Sequence, residues 1–221
     1  MTFNQDNFIS LCDHLAQHDP DLMQIIQDFG YPLRWYREPS FESLIHFILE
    51  QQVSLASALA ALKKLREKIG DITPENLLEL SDEQLKECYF SRQKIIYARC
   101  LAAAVKNKEL IIDELILETD EIVGTKLKLI KGIGQWTTDV FLMMSLSRTD
   151  VFPIGDIALI NSIRQVKNLP PSVDKQSIAT LAEKWKPYRT IAAFLLWHSY
   201  LEKRKKRKST ITSGKNYNTV S

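Results

Sequence analysis

Two short stretches of this chain carry groups that could bind a phosphate and act on a reacting centre near it. One is the glycine turn Lys131-Gly132-Ile133-Gly134, and the other places a carboxylate, Asp156, directly before an apolar segment. Glycine permits the positive φ of a tight turn and lets a large anion approach the backbone. The amides and dipole at the start of a following helix favour a phosphate there. A nearby carboxylate can stabilise a developing cation or position water.

Helices are predicted to position both groups. Leu127 and Ile130 close one apolar helical segment, and a second continues from Thr137 to Leu146, so the turn joins a helical hairpin. Asp156 precedes a third predicted helix, Ile157 to Val166, as its N-cap. On local sequence alone, a plain helix cap is the favoured explanation of Asp156, and only its place behind the hairpin favours a catalytic role.

Helical signals cover nearly the whole chain before residue 203. Ser81 with Gln84 makes a capping box, and Thr73 before Pro74 marks another helix start. No alternating strand pattern, hairpin turn or internal repeat is convincing. We therefore predict an all-α fold.

Length and composition limit the kinds of protein that this chain can be. The 221 residues, 45% hydrophobic and 25% charged, fit one compact domain or two packed lobes. There is no apolar run long enough for a membrane span and no secretory character at the N-terminus, so we expect a cytoplasmic protein. Cys12, Cys88 and Cys100 suggest neither a disulfide framework nor a metal cluster, and His46 and His198 lack a second ligand at useful spacing. No metal site is predicted.

The net charge of +2 conceals an asymmetry. Residues 203–221 contain seven Lys and Arg and no acidic residue, which leaves 22 basic against 27 acidic residues in the rest of the chain. We predict a disordered tail that either holds DNA loosely by releasing counterions or only improves solubility.

The glycine turn resembles a known DNA-binding element. The pattern Leu-x-x-Ile-x-Gly-Ile-Gly-x-x-Thr, from Leu127 to Thr137, is similar to the helix-hairpin-helix that grips a DNA backbone through main-chain amides. With Asp156 behind it, the chain resembles the helix-hairpin-helix/Gly-Pro-Asp superfamily of base-excision DNA glycosylases, in which this aspartate is catalytic. A usual alanine of the motif is Thr138 here. Three scattered cysteines exclude the iron–sulfur loop of some relatives.

Two further stretches resemble the alkylation-repair branch typified by bacterial 3-methyladenine DNA glycosylase II. Residues 41–54, Phe-x-x-Leu-Ile-x-x-Ile-Leu-x-Gln-Gln-Val-Ser, look like the segment that lies against the DNA minor groove. We predict Gln52 on the apolar helical face one turn after Ile48, where the matching residue wedges into the gap left by an everted nucleotide. The alternative is a satisfied amide at a helix end. Trp197 matches a tryptophan that lines the base pocket, although aromatic residues at such spacing also serve as core.

The resemblance implies a monofunctional DNA glycosylase that hydrolyses the N-glycosidic bond of alkylated purines in base excision repair. Bifunctional members carry a Schiff-base lysine at the position of Trp136, so no lyase activity is expected. Asp156 would be catalytic, and the rival carboxylates Asp139 and Asp150 structural. The substrate pocket would comprise Trp136, Trp197 and Phe41. DNA contacts would come from Gln52, Ser54, Lys131, Gly132, Ile133, Gly134, Gln135 and Thr137.

The implied architecture has two lobes, one spanning about 41–146 and the other about 1–40 plus 153–202, with a cleft near Trp136, Asp156 and Trp197. The implied partner is damaged double-stranded DNA, bound by a monomer. No cofactor is expected, although a monovalent cation at the hairpin carbonyls would fit some relatives. A non-catalytic helix-hairpin-helix DNA-binding module and a helical protein-interaction scaffold are the alternatives, and the range of excised bases stays open.

Overall fold

The computed structural model describes residues 1–215, with side chains through Arg207, and within that range the chain is helical. Apart from one isolated antiparallel bridge between Thr2 and Arg148, these residues form no strand pairing. The predicted all-α class is confirmed. The helices are α1 (Gln5–His18), α2 (Pro20–Phe29), α3 (Phe41–Glu50), α4 (Leu55–Ile69), α5 (Pro74–Glu79), α6 (Asp82–Glu87), α7 (Arg92–Lys106), α8 (Asp120–Lys128), α9 (Gln135–Met144), α10 (Ile157–Val166), α11 (Lys175–Ala182) and α12 (Arg189–Lys215), with 3₁₀ turns at Ile112–Leu117 and Glu183–Trp185.

The chain divides into two compact units. Unit 1 comprises Met1–Trp35 together with the chain from Arg148 onwards, and unit 2 is Tyr36–Ser147. The first lobe predicted from sequence, 41–146, lies inside unit 2. Among the described residues, no helix combines the length and apolarity needed to cross a bilayer.

The core of unit 1 is built around the first half of α12. Residues 191–196 of this helix are completely buried, because an uninterrupted apolar run can bury every face of a helix. Phe194 makes edge contacts with Phe3 and Phe8, each with ring centroids 5.9 Å apart. The Met1 carbonyl accepts a hydrogen bond from the Thr149 amide at 3.2 Å, which joins the two chain segments of the unit.

A buried ionic cluster fixes the start of α2 within unit 1. Asp19, the N-cap of this helix, is only 2% exposed. It accepts hydrogen bonds from Lys167 Nζ at 2.5 Å and from the Trp185 indole at 2.8 Å, and it pairs with Lys184 Nζ at 3.0 Å. Burial raises the pKa of Asp19, but these donors lower it more, to about 2. The carboxylate therefore stays ionised inside the unit.

The core of unit 2 is built around α3, whose residues Leu44, Ile45, Phe47 and Ile48 are fully buried. Helices α4, α7 and α9 pack against it. Arg37 connects the end of α3 to α9. Its guanidinium donates two hydrogen bonds to the carboxylate of Glu50, the last residue of α3, at 2.6 and 3.0 Å. The Arg37 amide donates to the Met144 carbonyl at 3.1 Å.

Helix starts in unit 2 follow the caps predicted from sequence. The Ser81 and Gln84 side chains bond each other's backbone amides, at 3.2 and 2.8 Å, which confirms the capping box. The Thr73 hydroxyl accepts from the Asn76 amide at 3.2 Å and so caps α5.

The basic segment after residue 202 differs from its prediction. Helix α12 continues through Lys215, so residues 203–215 are helical where composition predicts a disordered tail. Lys and Arg are good helix formers, and no glycine occurs in α12 before Gly214. Lys205 also pairs with Glu202 at 2.6 Å, one turn away on the same helix. The rest of the predicted tail, residues 216–221, lies outside the described residues.

Candidate functional site

The predicted helical hairpin is present in unit 2 as α8, a short turn and α9. Gly132 occupies the turn with φ +98, a conformation that residues with a side chain rarely adopt. A Cβ at this position would also lie 2.6 Å from Tyr97 Cβ and closer still to the tyrosine ring. Both backbone conformation and packing therefore require glycine at 132.

Gly134 provides the open side of the turn. It is the N-cap of α9, it is exposed, and no side chain caps the helix there. A Cβ built on Gly134 would have nothing within 4 Å. Since the first amides of a helix lack intrahelical acceptors, those after Gly134 suit an incoming anion. Lys131 is also exposed, so its ammonium can approach the same anion.

Two residues predicted to contact DNA are turned inward. The Ile133 amide donates to the Ile130 carbonyl at 3.0 Å, and its side chain is 4% exposed. Thr137 is 1% exposed, and its hydroxyl accepts a hydrogen bond from within the unit. The prediction that the Ile133 amide binds DNA was wrong, because this amide already bonds within the turn. The Thr137 hydroxyl is likewise used inside unit 2.

The donor of that bond to Thr137 is Gln51, which is not among the site residues predicted from sequence. Its Nε2 donates to Thr137 Oγ1 at 2.9 Å and to the Gly132 carbonyl at 2.9 Å. These partners are 86 and 81 residues away in sequence. No local pattern could have indicated the contact.

The loop between α3 and α4 departs from the predicted helix. Helix α3 ends at Glu50, and Gln52 has φ +58 and is exposed, so it does not continue the apolar face beyond Ile48. The prediction of a helical Gln52 was wrong, since the chain leaves the helix at Gln51. Ser54, also exposed, caps α4 by accepting the Ser57 amide at 3.1 Å. Both residues remain candidates for DNA contact at the surface.

Helix α9 carries an aromatic ring in its first turn and a buried carboxylate one turn after Gln135. Trp136 is partly buried, and its role in a substrate pocket stays a prediction. Asp139 is 6% exposed and accepts a hydrogen bond from Gln135 Nε2 at 2.7 Å, while Lys128 Nζ donates to Gln135 Oε1 at 3.1 Å. Burial raises the pKa of Asp139 to about 6, against the lowering effects of Gln135 and Lys128. No local sequence pattern indicates this shift, because burial of the carboxyl depends on how α9 packs.

Asp156 in unit 1 is held by two elements. As the predicted N-cap of α10, it accepts the Leu159 amide at Oδ1 at 2.7 Å. The indole of Trp197 on α12 donates to the same oxygen at 3.1 Å. Asp156 is partly exposed. The structure thus brings together the predicted catalytic carboxylate and one predicted pocket residue.

Other aromatic and acidic candidates have well-defined neighbours. Trp197 stacks on Phe194, with ring centroids 5.9 Å apart and an interplanar angle of 27°, and meets Trp35 edge-on at 6.3 Å. Asp150 in unit 1 accepts from Arg189 Nε at 2.7 Å, a contact expected of a structural carboxylate. Phe41 starts α3 in unit 2 and is 7% exposed, so its pocket role stays a prediction.

The carbonyls of the hairpin turn have partners within unit 2. The Gly132 carbonyl accepts from Gln51, and the Ile130 carbonyl accepts from the Ile133 amide. A carbonyl oxygen has two lone pairs, so each can also take a cation. A monovalent cation here stays a prediction.

Comparisons with known proteins place this geometry in context. The model of the HhH-GPD superfamily base excision DNA repair protein family matches residues 45–187. DNA-3-methyladenine glycosylase 1 of Schizosaccharomyces pombe is 31% identical over 195 residues, covering 83% of this chain and 84% of that protein. YfjP of Bacillus subtilis is 29% identical over 167 residues, which cover 72% of this chain but only 58% of YfjP. The solved structure of Schizosaccharomyces pombe 3-methyladenine DNA glycosylase (Mag1) in complex with abasic DNA superposes with a TM-score of 0.78 at 29% identity, covering 85% of this chain and 95% of that one.

Proposed function

Because this chain belongs to the HhH-GPD superfamily of base excision DNA repair proteins, we propose that it is a DNA glycosylase that hydrolyses the N-glycosidic bond of alkylated purines. Relatives named 3-methyladenine DNA glycosylases support this substrate class. The observation that carries the proposal is the carboxylate of Asp156, fixed at one oxygen by the Trp197 indole and the Leu159 amide. A fixed carboxylate beside an aromatic ring suits a substrate that becomes cationic as it reacts.

The reaction requires little acid catalysis. A purine alkylated at a ring nitrogen is electron-poor and leaves readily, so the main barrier is the positive charge that develops on the sugar. The proposal gives Asp156 the role of stabilising this oxocarbenium-like sugar and orienting the attacking water. Water adds at C1′, its proton is lost, and the products are a free base and an abasic site.

An indole face also suits the leaving base. A desolvated cation over an aromatic ring gains up to about 2 kcal/mol, more than a neutral base does. Trp197 is 9% exposed and therefore presents only a small part of its ring to a ligand. Trp136 in unit 2 is the second proposed aromatic contact.

The proposed role of the hairpin is to bind the DNA backbone while the damaged nucleotide leaves the duplex. Moving a nucleotide out of the duplex costs a few kcal/mol and costs least at damaged bases. The Gln135 amide, directly after the exposed Gly134, and the exposed ammonium of Lys131 are proposed to bind the backbone phosphate during this step. DNA contact is also proposed for Gln52 and Ser54 at the α3–α4 loop.

We further propose that the enzyme lacks lyase activity. Strand cleavage by related bifunctional enzymes needs an amine that forms a Schiff base, and Trp136 occupies the position of that lysine. Borohydride treatment during the reaction is expected to trap no covalent adduct with DNA, and a trapped adduct would refute this part of the proposal.

Mass spectrometry of free bases released from methylated DNA tests the proposal directly. The wild-type protein is expected to release alkylated purines, and Asp156→Asn to release them at least about 100-fold more slowly while binding DNA normally. Asp150→Asn is the matched control, because this carboxylate is paired with Arg189, and it should retain release. If the wild type binds DNA but releases no base, the chain is a non-catalytic binding module.

A further inference from the structure

We propose that Gln51 is a positioning residue that holds the hairpin turn in the conformation in which its amides bind a DNA phosphate. This inference rests on the proposed function. Gln51 Nε2 donates two hydrogen bonds of 2.9 Å each, to the Gly132 carbonyl and to Thr137 Oγ1. The acceptors lie on either side of Gly134, the open position of the turn. One side-chain amide therefore spans the segment that has to receive the phosphate.

Two backbone hydrogen bonds and the packing of Gly132 against Tyr97 also restrain the turn. The Ile133 amide bonds the Ile130 carbonyl at 3.0 Å, and the Thr138 amide bonds the Gly134 carbonyl at 3.0 Å. Gly134 itself has no side-chain cap, and a glycine at this open position can adopt many backbone conformations. Removing the Gln51 amide would leave the Thr137 hydroxyl, only 1% exposed, without this donor. The turn would then sample conformations in which its amides point away from the phosphate.

Gln51 is itself well anchored at the end of α3. Its backbone N–H donates to the Ile48 carbonyl at 3.3 Å. The two preceding residues are also held in place. The Leu49 carbonyl accepts a hydrogen bond from Lys94 Nζ at 2.6 Å, and the Glu50 carboxylate accepts one from Arg37. Because α3 is buried almost throughout, this anchor moves little.

The same residue precedes the surface loop proposed to meet DNA. Directly after Gln51, the chain turns into the left-handed conformation of Gln52, with φ +58. The Gln51 side chain thus ties the hairpin turn to the loop that carries Gln52. Both surfaces are fixed relative to each other within unit 2.

The test is the salt dependence of binding to a duplex containing a tetrahydrofuran abasic-site analogue. Each phosphate that a Lys or Arg neutralises contributes about 0.9 to the slope of log affinity against log salt. Gln51→Ala is expected to weaken binding about tenfold at low salt and to reduce the slope by about 0.9, because Lys131 on the released turn no longer neutralises its phosphate. Gln51→Glu keeps the size of the side chain but removes the donor, and it should bind no better than Gln51→Ala.

Thr137 variants test the same bonds from the other side. Thr137→Ser keeps the acceptor and should retain wild-type affinity, whereas Thr137→Val should lose part of it. In a double-mutant cycle, Thr137→Val should add nothing to Gln51→Ala, since the bond is already absent.

Leu77→Ala is the control for general destabilisation, because Leu77 is fully buried in unit 2 and lies on α5, outside the hairpin. It should lower Tm without changing the salt slope. If Gln51→Ala lowers Tm similarly but keeps wild-type affinity and slope, Gln51 has only a structural role and the inference is overturned. If wild-type protein neither releases base nor binds the abasic duplex, the proposed function fails first, and the inference falls with it.

Discussion

The Trp197 indole donates a hydrogen bond to Asp156 Oδ1 at 3.1 Å, the same oxygen that accepts the Leu159 amide at 2.7 Å. One donor belongs to α12 and the other to α10, so the carboxylate is oriented by two helices of unit 1. A helix cap alone would fix it from one side only. This second bond distinguishes Asp156 from an ordinary N-cap.

Trp197→Phe should therefore slow base release without abolishing it. Phenylalanine keeps an aromatic ring against Phe194 but removes the indole N–H, so the carboxylate loses one of these donors while its bond to Leu159 remains. We expect base release to fall about tenfold to 100-fold, as for the loss of one oriented hydrogen bond in an active site. Single-turnover kinetics on methylated DNA measures the effect.

Trp185→Phe is the control for this prediction. Trp185 also donates an indole hydrogen bond to an aspartate of unit 1, Asp19, at 2.8 Å. Its removal should lower Tm and leave base release near the wild-type rate. Equal losses of release in the two variants would contradict a specific role for the Trp197 bond.

Alanine substitutions at the two glycines of the turn should have opposite effects. Gly132→Ala forces a side chain into a positive-φ position against Tyr97, so we expect a loss of more than about 2 kcal/mol in the free energy of unfolding. Gly134→Ala meets no atom within 4 Å and should leave stability nearly unchanged. Its methyl group would instead obstruct a phosphate, and we expect DNA affinity to fall about tenfold. Urea denaturation and fluorescence anisotropy measure the two effects, and unchanged affinity of a stable Gly134→Ala would contradict the proposed phosphate site.

Asp139→Asn should stabilise the protein above neutral pH. Burial raises the pKa of Asp139 to about 6, so its protonated form favours the folded state. That contribution is fully present below the unfolded pKa of about 4 and is lost as pH rises through about 6. At about pH 8 the variant should gain roughly 2–3 kcal/mol in free energy of unfolding. This is the free energy that corresponds to a carboxyl pKa of about 6 in the folded state against about 4 in the unfolded state.

Near about pH 4 the gain of Asp139→Asn should vanish, since the wild-type carboxyl is then protonated when folded. The exposed Asp113 is a control, because Asp113→Asn should change stability by less than about 0.5 kcal/mol. Urea denaturation at both pH values gives the comparison. A less stable Asp139→Asn at high pH would show that the charge is needed for the fold.

Asp19→Asn should destabilise the protein, with the opposite dependence on pH. The carboxylate is paired with Lys167 and Lys184, and these cations with the Trp185 donor bring its pKa down to about 2. Its contribution is present above the unfolded pKa of about 4 and is lost as pH falls through about 2. Near neutral pH, we expect a loss of roughly 3–5 kcal/mol, because the change leaves the buried ammonium of Lys167 poorly paired.

Asp21→Asn removes the neighbouring, 45% exposed partner of Lys167 and should cost less than about 1 kcal/mol. Denaturation at neutral and acidic pH compares the two variants. A loss for Asp19→Asn no larger than that for Asp21→Asn would contradict the importance of the buried cluster.

Local signals predicted the parts of the site that depend on nearby residues. Gly132 and Gly134 indicated the hairpin turn, because backbone conformation restricts which residues can occupy it. Asp156 was predicted as the cap of α10 for a similar reason, since capping involves atoms only a few residues apart. Family resemblance then connected these elements to DNA repair.

Contacts between distant parts of the chain could not be predicted in the same way. The Gln51 bond to Thr137 requires the folded positions of α3 and α9, and the Trp197 bond to Asp156 requires those of α10 and α12. The helical periodicity through Ile48 gives no sign that α3 ends at Glu50, so the sequence predicts Gln52 on the same helix. Whether the Ile133 amide is free likewise depends on how tightly the turn closes.

The Met1 carbonyl and the Thr149 amide belong to the same unit, although the whole of unit 2 separates them in the sequence. On the ribosome, Met1–Trp35 therefore emerges long before its packing partners exist. Unit 2 is continuous and can fold as soon as it has left the exit tunnel, whereas unit 1 can close only after α12 has been synthesised. During translation unit 2 is thus expected to fold before unit 1, because α1 and α2 pack against α12, which is synthesised after unit 2.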